Sequence, residues 1–355
     1  MFVIARNSSF AYKGKSISIK QIAKELGVKY ILEGSVQRAG DRVRITAQLI
    51  DAITDFHMWS ESYDRDLSDI FALQDEITIK LMNAMRINLT QREQATIYTD
   101  EIKNIKAYDK FLKGMECFFR VTRQDNAKAR ILLEQSIKID ETSAIPFAII
   151  GWTHLFDFHY SWSKSPLDSF EKMEKNANKA IALNSTHDLP HLLLGWIHLY
   201  KKEHDKAIEA GKQAIILSPN GANAHAHFGF IAHMAGEIEV AIRNLKKAFR
   251  LNPLPPSYYY HFLGGAYHYD RQNDKALEIL NQSLSIDSES LLPYLYLTSV
   301  YIELNNLDQA KISANKILEI NPNFSLEYHK DVFPLKDRSE LERYIENLRK
   351  AGLPD

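Results

Sequence analysis

Thirteen histidines and one cysteine are the side chains with the widest chemical reach in this 355-residue chain. A neutral imidazole can ligate a metal or carry a proton, and it changes charge near physiological pH. His191 and His225 lie 34 residues apart, and His233 and His268 lie 35 apart. His261 and His268, seven apart, share one helix face. A stacked His233, His261 and His268 group would be the place for a metal. No carboxylate or cysteine joins these three at ligand spacing, so the expectation is no metal and no cofactor. Gly14-Lys15-Ser16 has the ending of a phosphate-binding loop. Ser9 stands where that motif needs its first glycine, and no long buried strand leads into it, so a solvated turn is expected. Cys117 sits beside Phe118 and Phe119 and reads as a packed thiol. Neither His-Glu-x-x-His nor Gly-x-Ser-x-Gly occurs. These types and spacings assemble no reaction centre, and the chain reads as non-catalytic.

Composition narrows the remaining classes. Lys plus Arg is 44 against 45 for Asp plus Glu, a net charge of -1, which argues against a basic nucleic-acid surface over the whole chain. One cysteine excludes an intramolecular disulfide and fits a reducing compartment. The longest charge-free stretch, Leu251 to Tyr269, carries Pro253, Pro255 and Pro256 and is not a spanning segment. Arg6 and Lys13 interrupt any amino-terminal apolar core, so no signal peptide is expected. The reading is a cytoplasmic protein with no membrane and no nucleic-acid partner.

The elements fall into two regimes. Residues 2–5 predict a strand, Ser18 to Leu26 a helix stopped by Gly27, and Val28 to Gln37 another strand. Arg42 to Asp51 alternates, with Val43, Ile45, Ala47 and Leu49 on one face, as a half-buried hairpin strand does. Phe56 to Tyr63 predicts a third strand of that meander. A helix from Ser68 carries Ile70, Leu73, Ile77 and Leu81 on one stripe. The fold class is α+β: a small module over 1–90 (strand, helix, three-strand meander, helix), a linker over 91–104, and then helical hairpins.

From about residue 100 a period of 34 takes over. Gly195 is followed by Ala207, Ala214 and Pro219, and Gly229 by Ala241, Ala248 and Pro253 at identical offsets. Gly264 with Ala276 and Ser283, and Thr298 with Ala310, Ile317 and Pro322, repeat the pattern. Small residues at these offsets let two antiparallel helices approach closely, and proline ends the second. The pattern resembles the tetratricopeptide repeat, which implies an α-solenoid of hairpins, each burying its neighbour's apolar face. Two earlier repeats are degenerate. Gly114 with Ala129 and Ser136 fits if the inter-helix turn is three residues longer. Gly151 with Ala180 fits if about ten residues are inserted between Phe158 and Leu167. Six repeats over 105–324 are expected, with a capping helix in 325–355 that carries Leu341, Tyr344, Ile345 and Leu348.

In such a solenoid the first helix of each pair lines the concave groove. Taking the small residue as the eighth position, the second, fifth, ninth and twelfth positions include Trp152, Leu192, Trp196, Leu199, Asn223, Phe230, His233, Tyr258, His261 and His268. Groove members that clamp acidic peptide termini use Lys, Arg and Asn there, a set missing here. An aromatic wall suits an amphipathic helix or an extended apolar peptide. Trp152 and Trp196 read equally well as inter-repeat core. The chain's own tail and the loop around Tyr160-Ser161-Trp162 are alternative occupants.

Three long runs, RNSSFAYKGK, IAKELGVKYILEGSVQRAGDRVRITAQLIDA and WSESYDRDLSDIFALQDEI, together with the tail KDRSELERYIENLRKAGLP, resemble a bacterial family. Its members include class III adenylate and guanylate cyclase-like proteins and some winged-helix regulators. The first module is similar to the amino-terminal α/β domain of TolB. The resemblance implies a further strand and helix before Phe2, absent here, and therefore a sheet with an exposed edge that could pair residues 1–90 of two copies. It also implies a non-catalytic protein–protein interaction region of a cyclase-related signalling protein. A regulatory region of a winged-helix regulator and a stand-alone assembly factor are the alternatives.

Overall fold

The computed structural model describes residues 3–85, 102–160 and 162–355. They form two compact units, Ser9–Thr153 and Met1–Ser8 with His154–Asp355. Most of the linker expected over 91–104 lies outside the described residues, as does Ser161.

In the first unit, α2 (Ile19–Leu26) starts where the Ser18 hydroxyl accepts the Gln21 amide and ends at Gly27 with φ 64°. The strands β1 (Tyr30–Ala39), β2 (Arg42–Asp51) and β3 (Phe56–Asp66) form an antiparallel meander in that order. Leu32 faces Leu49, and Ile45 faces Tyr63, with an irregularity between Leu49 and Ile50. After a single 3-10 turn, α3 (Ile70–Ala84) lays Ile70 and Leu73 over Val43 and Tyr63. Its Phe71 meets Tyr108 edge-on at 5.3 Å. Tyr108 belongs to α4 (Ile105–Phe118), so the first hairpin, completed by α5 (Arg123–Ile139), packs with the sheet module. Asn104 caps α4 by accepting the amides of Lys106 and Ala107.

Three expectations need correction. Residues 3–5 are irregular and join no sheet. They lead into the short α1 (Arg6–Phe10), and their polar groups bond within the second unit. The Ala5 amide donates to the Leu251 carbonyl at 2.8 Å, and the buried Ser8 hydroxyl bonds Asn252 at 2.5 Å while accepting the Leu254 amide at 2.9 Å. The turn between α4 and α5 has four residues, one more than the three of the later repeats and not three more. Val121 takes the left-handed φ there (47°) seven residues after Gly114, as Gly236 does (85°) seven after Gly229. The extra three residues lengthen the second helix instead, which has 17 residues against 14 in the later repeats. Likewise the insertion near Phe158 is mostly helix. α6 (Ala144–His159) runs for 16 residues and α7 (Pro166–Leu183) for 18, with only a short link between.

The second unit holds four regular pairs: α8 and α9 (Asp188–Tyr200, His204–Leu217), α10 and α11 (Ala222–Met234, Ile238–Leu251), α12 and α13 (Ser257–Tyr269, Asn273–Ile286), and α14 and α15 (Leu291–Glu303, Leu307–Ile320). Each first helix is joined to its partner through a left-handed residue: Lys202, Gly236, Arg271 and Asn305. The repeat alanines Ala207, Ala214, Ala241, Ala248, Ala276 and Ala310 are fully buried. The tail is not one helix but two, α16 (Leu326–Val332) and α17 (Arg338–Lys350). Pro334 breaks it, because a residue before proline is driven out of the helical region, and Phe333 is extended with ψ 121°.

A side chain at Gly229 has no room. Its Cβ would come within 2.6 Å of Leu245 Cγ and 3.1 Å of the Ala241 carbonyl on the partner helix. Gly229→Val is expected to destabilise the protein by about 1–3 kcal/mol, as overpacking of a core does. Urea melts of the two proteins check it, and an unchanged midpoint would contradict the close approach.

Candidate functional site

The inner wall of the second unit begins as an aromatic ladder. Trp196 stacks on Phe230 at 4.7 Å and 15°, and Phe230 lies 4.4 Å from Phe262. The Trp196 indole donates to His227 Nδ1 at 3.2 Å, and His227 stacks on Tyr258 at 5.2 Å. These contacts run from one first helix to the next, so the ladder is repeat-to-repeat packing as well as wall. Asn223 Oδ1 accepts both the Tyr258 hydroxyl at 3.0 Å and the Tyr259 hydroxyl at 2.7 Å.

Eight of the ten predicted groove residues are 3% exposed or less: Trp152, Leu192, Trp196, Leu199, Phe230, His233, His261 and His268. Trp152 lies in the first unit and the other nine in the second. Asn223 and Tyr258 keep contact with solvent. The sequence offsets say nothing of what covers these positions. For His233 and His268 the cover is the tail. A cavity of about 20 Å³, the size that holds one water, is lined by His233, His268 and Tyr296 from the repeats and by Phe333, Leu335 and Tyr344 from the tail. The His233 Nδ1 and the Tyr296 hydroxyl are buried there without a hydrogen-bond partner.

The tail reaches this position by crossing the unit. Lys202 Nζ donates to the Asp331 carbonyl at 2.7 Å, and His204 Nε2 to the Pro334 carbonyl at 2.8 Å. The Lys336 amide donates to the Met234 carbonyl at 2.8 Å, and its ammonium meets Asp205 at 3.0 Å. Phe333, Pro334 and Leu335 are buried. Beyond Asp337, which caps α17 by accepting the amides of Ser339 and Glu340, the helix runs over α14. Glu340 pairs with Arg271, Arg343 with Glu303, and Asn347 donates to Ser299 at 3.0 Å. Lys202, His204 and Asp205 are not among the predicted site residues. They sit at the turns between paired helices, outside the groove positions, and the one sequence signal for them is the proline that interrupts the tail helix.

The imidazoles are held neutral rather than gathered around an ion. Burial lowers His227, His233, His261 and His268 to about 3, and His159 and His329 to about 4. His268 is committed on both sides, to Asn273 at 2.8 Å and to Ser299 at 2.8 Å, and His261 Nδ1 lies 3.4 Å from the Ser283 hydroxyl. Among the described residues no three His, Cys, Asp or Glu side chains come close enough to hold a metal. Gly14 lies in a turn after a helix, not after a strand. Among the described residues, too, no helix is long and apolar enough to cross a membrane.

A model of the tetratricopeptide-repeat family matches residues 257–290 and 297–324, the last two regular pairs. The chain carries tetratricopeptide repeats. The Rhizobium meliloti (strain 1021) protein "Putative adenylate cyclase 3" is 41% identical over 181 residues, 51% of this chain and 31% of that protein. The chain therefore spans under a third of the length of this relative. Among solved structures, the APC/C hetero-tetramer Cut9–Hcn1 aligns with a TM-score of 0.50 at 16% identity, covering 81% of this chain and 54% of that one. A thermophilic tetratricopeptide protein from Thermus thermophilus aligns at 0.41 and 21%, covering 52% and 92%. At 16% identity the Cut9–Hcn1 likeness is one of fold, that of stacked helical hairpins.

Neutral buried imidazoles link stability to pH. An unfolded histidine takes a proton below about 6.5, whereas His233 and His261 refuse it until about 3. Their contribution is complete above about 6.5 and is lost as the pH falls toward about 3. The expected slope is up to ~1.4 kcal/mol per pH unit for each such group. Urea melts at pH 7, 6 and 5 should show this loss, and His261→Gln should flatten it by one group's share; an identical slope in the variant would contradict it.

Proposed function

We propose that this chain is a non-catalytic interaction and regulatory scaffold of a cyclase-related signalling protein, working in the cytoplasm. It binds a partner peptide along the inner wall of its tetratricopeptide repeats. The observation that carries this reading is the seat of residues 331–337. That seat holds the extended residues 333–335 through His204 on the Pro334 carbonyl and a pocket for Phe333 and Leu335, with Lys202 on the Asp331 carbonyl at the end of α16. Main-chain capture with side-chain pockets is the usual physics of peptide recognition. The 41% identity to the cyclase-named relative supports the signalling context. The wall offers Asn223 and Tyr258 to solvent and His227 between them, so a ligand entering from that end meets aromatic faces and one amide.

The test is a phage-displayed peptide selection on the full chain, followed by photo-crosslinking of the selected peptide. Crosslinks are expected on the first helices of the repeats, around Asn223 and Tyr258, and Tyr258→Ala is expected to weaken binding about tenfold. That corresponds to about 1.4 kcal/mol, within the range for losing one aromatic contact. Peptides that crosslink only to the convex second helices would overturn the reading.

A second role belongs to the small module. α3 covers β2 and β3, whereas Leu32 and Val36 on the edge strand β1 are 52% and 69% exposed, on the same face as the buried Val43 and Leu49. An apolar edge strand of ten residues is a template for pairing. We read it as the site of homodimerisation through residues 1–90. Light scattering at high micromolar concentration should give a dimer, and Leu32→Lys with Val36→Lys a monomer. A monodisperse wild-type monomer would remove the idea.

A further inference from the structure

The segment that fills the inner wall is held in an unusual way for a structural cap. Of the polar contacts that residues 331–336 make with the repeats, three go to the segment's main chain: Lys202 to the Asp331 carbonyl, His204 to the Pro334 carbonyl, and the Met234 carbonyl to the Lys336 amide. Main-chain contacts do not read sequence. What reads sequence is the buried pair Phe333 and Leu335, with the exposed pair of Lys336 and Asp205 a minor addition. Beside Phe333 and Leu335 a cavity of about 20 Å³, the size of one water, is bordered by His233 and Tyr296. The segment is flanked by two helices that carry their own contacts, α17 above all, so it can leave without the tail unfolding.

Resting on the peptide-binding reading above, we propose that residues 333–336 are a built-in competitor for an external peptide at the seat between the Lys202–Asp205 turn and the pocket of His233 and Tyr296. The external partner they exclude is an extended protein segment with an aromatic or aliphatic residue, a second apolar residue two positions on, and a lysine or arginine next. Such a partner offers the same carbonyls to Lys202 and His204 and the same charge to Asp205. Tethering gives the resident an effective concentration on the order of millimolar. A partner of ordinary micromolar affinity therefore stays out until the tether is loosened, and the ion pairs of Glu340 with Arg271 and of Arg343 with Glu303 are the place where loosening would act.

The experiment uses the full chain and a released variant, Phe333→Ala with Leu335→Ala and Lys336→Glu, which leaves α16 and α17 their own sequences. The probe is a fluorescein-labelled peptide of residues 329–338, HKDVFPLKDR, followed by anisotropy. The released variant is expected to bind it at least tenfold more tightly than the wild type, and a scrambled peptide not at all. Adding Lys202→Ala and His204→Ala to the released variant should abolish that gain. Equal binding by wild type and released variant overturns the competitor, and so does a folded released variant that ignores the peptide. Hydrogen exchange on the wild type keeps the proposal testable if the variant misfolds. The Lys336 amide should be protected at least a hundredfold over an unstructured chain, and full-speed exchange across 331–337 would show that the segment does not sit in the groove. Should the selected phage peptides bind wild type and released variant alike, the scaffold stands and only the competitor falls. Should neither protein select any peptide, both readings fall.

Discussion

The spacing between two helix backbones at one small residue governs the second unit. Where Gly229 faces Leu245 and Gly264 faces Leu280, the leucine atoms occupy the volume a Cβ would need, at 2.6 Å in both cases. The paired alanines on the second helix, fully buried, permit the same approach from the other side. With the backbones that close, the remaining residues of each first helix have only two directions left. Some meet the next repeat, as the aromatic ladder of Trp196, Phe230 and Phe262 does. Others, His233 and His268 among them, lie against the tail.

That second direction sets the chemistry. An inside position on a tightly wound stack is crowded by its neighbours, and crowding removes the water a charged group needs. Imidazole tolerates this by staying neutral while keeping one donor and one acceptor. His268 uses both, on Asn273 and Ser299, and so knits one repeat to the next. His233 has Nδ1 left over. The tail then adds a lid of Phe333, Leu335 and Tyr344, which completes the burial of His233 and His268.

The legible part of this structure is the part fixed by repeated, local constraints. Gly195, Gly229, Gly264 and Thr298 set the phase of the four regular pairs, because a small residue at a fixed offset has one physical cause. The meander is legible from the alternation over Arg42 to Asp51, which only a sheet with one covered face produces. Less legible are features whose cause is non-local. Residues 3–5 look like a strand by composition, yet the Ala5 amide is claimed by Leu251, about 250 positions away. The extra residues near Thr122 and Phe158 look like loop insertions by offset, yet helices absorb them, since a longer helix satisfies its own backbone and a longer loop does not. The groove positions look open by their offsets, because offsets say nothing about what arrives later in the chain to cover them. Lys202 and Arg271 show the same limit: each is a turn residue by position, and each is a tail contact by tertiary structure.

The tail's own design follows from where its contacts lie. Its two ends are anchored by groups that stay partly solvated: the Glu340–Arg271 pair on one side, and the Lys202 ammonium on the Asp331 carbonyl on the other. Ion pairs with that much exposure contribute little each, about 0–1 kcal/mol. The apolar centre, Phe333 to Leu335, supplies the burial, but it is only three residues long. A permanent cap would put its large side chains in the interior and its chain ends in regular structure, as α17 does with Leu341, Ile345 and Leu348, all 1% exposed or less. The crossing segment does the reverse, an extended strip between two helices, fixed by weak ends and a short apolar middle. Such an arrangement has one well-defined seated state, and leaving it breaks only a handful of contacts. The helices on either side carry their own amino-terminal caps, Ser325 for α16 and Asp337 for α17.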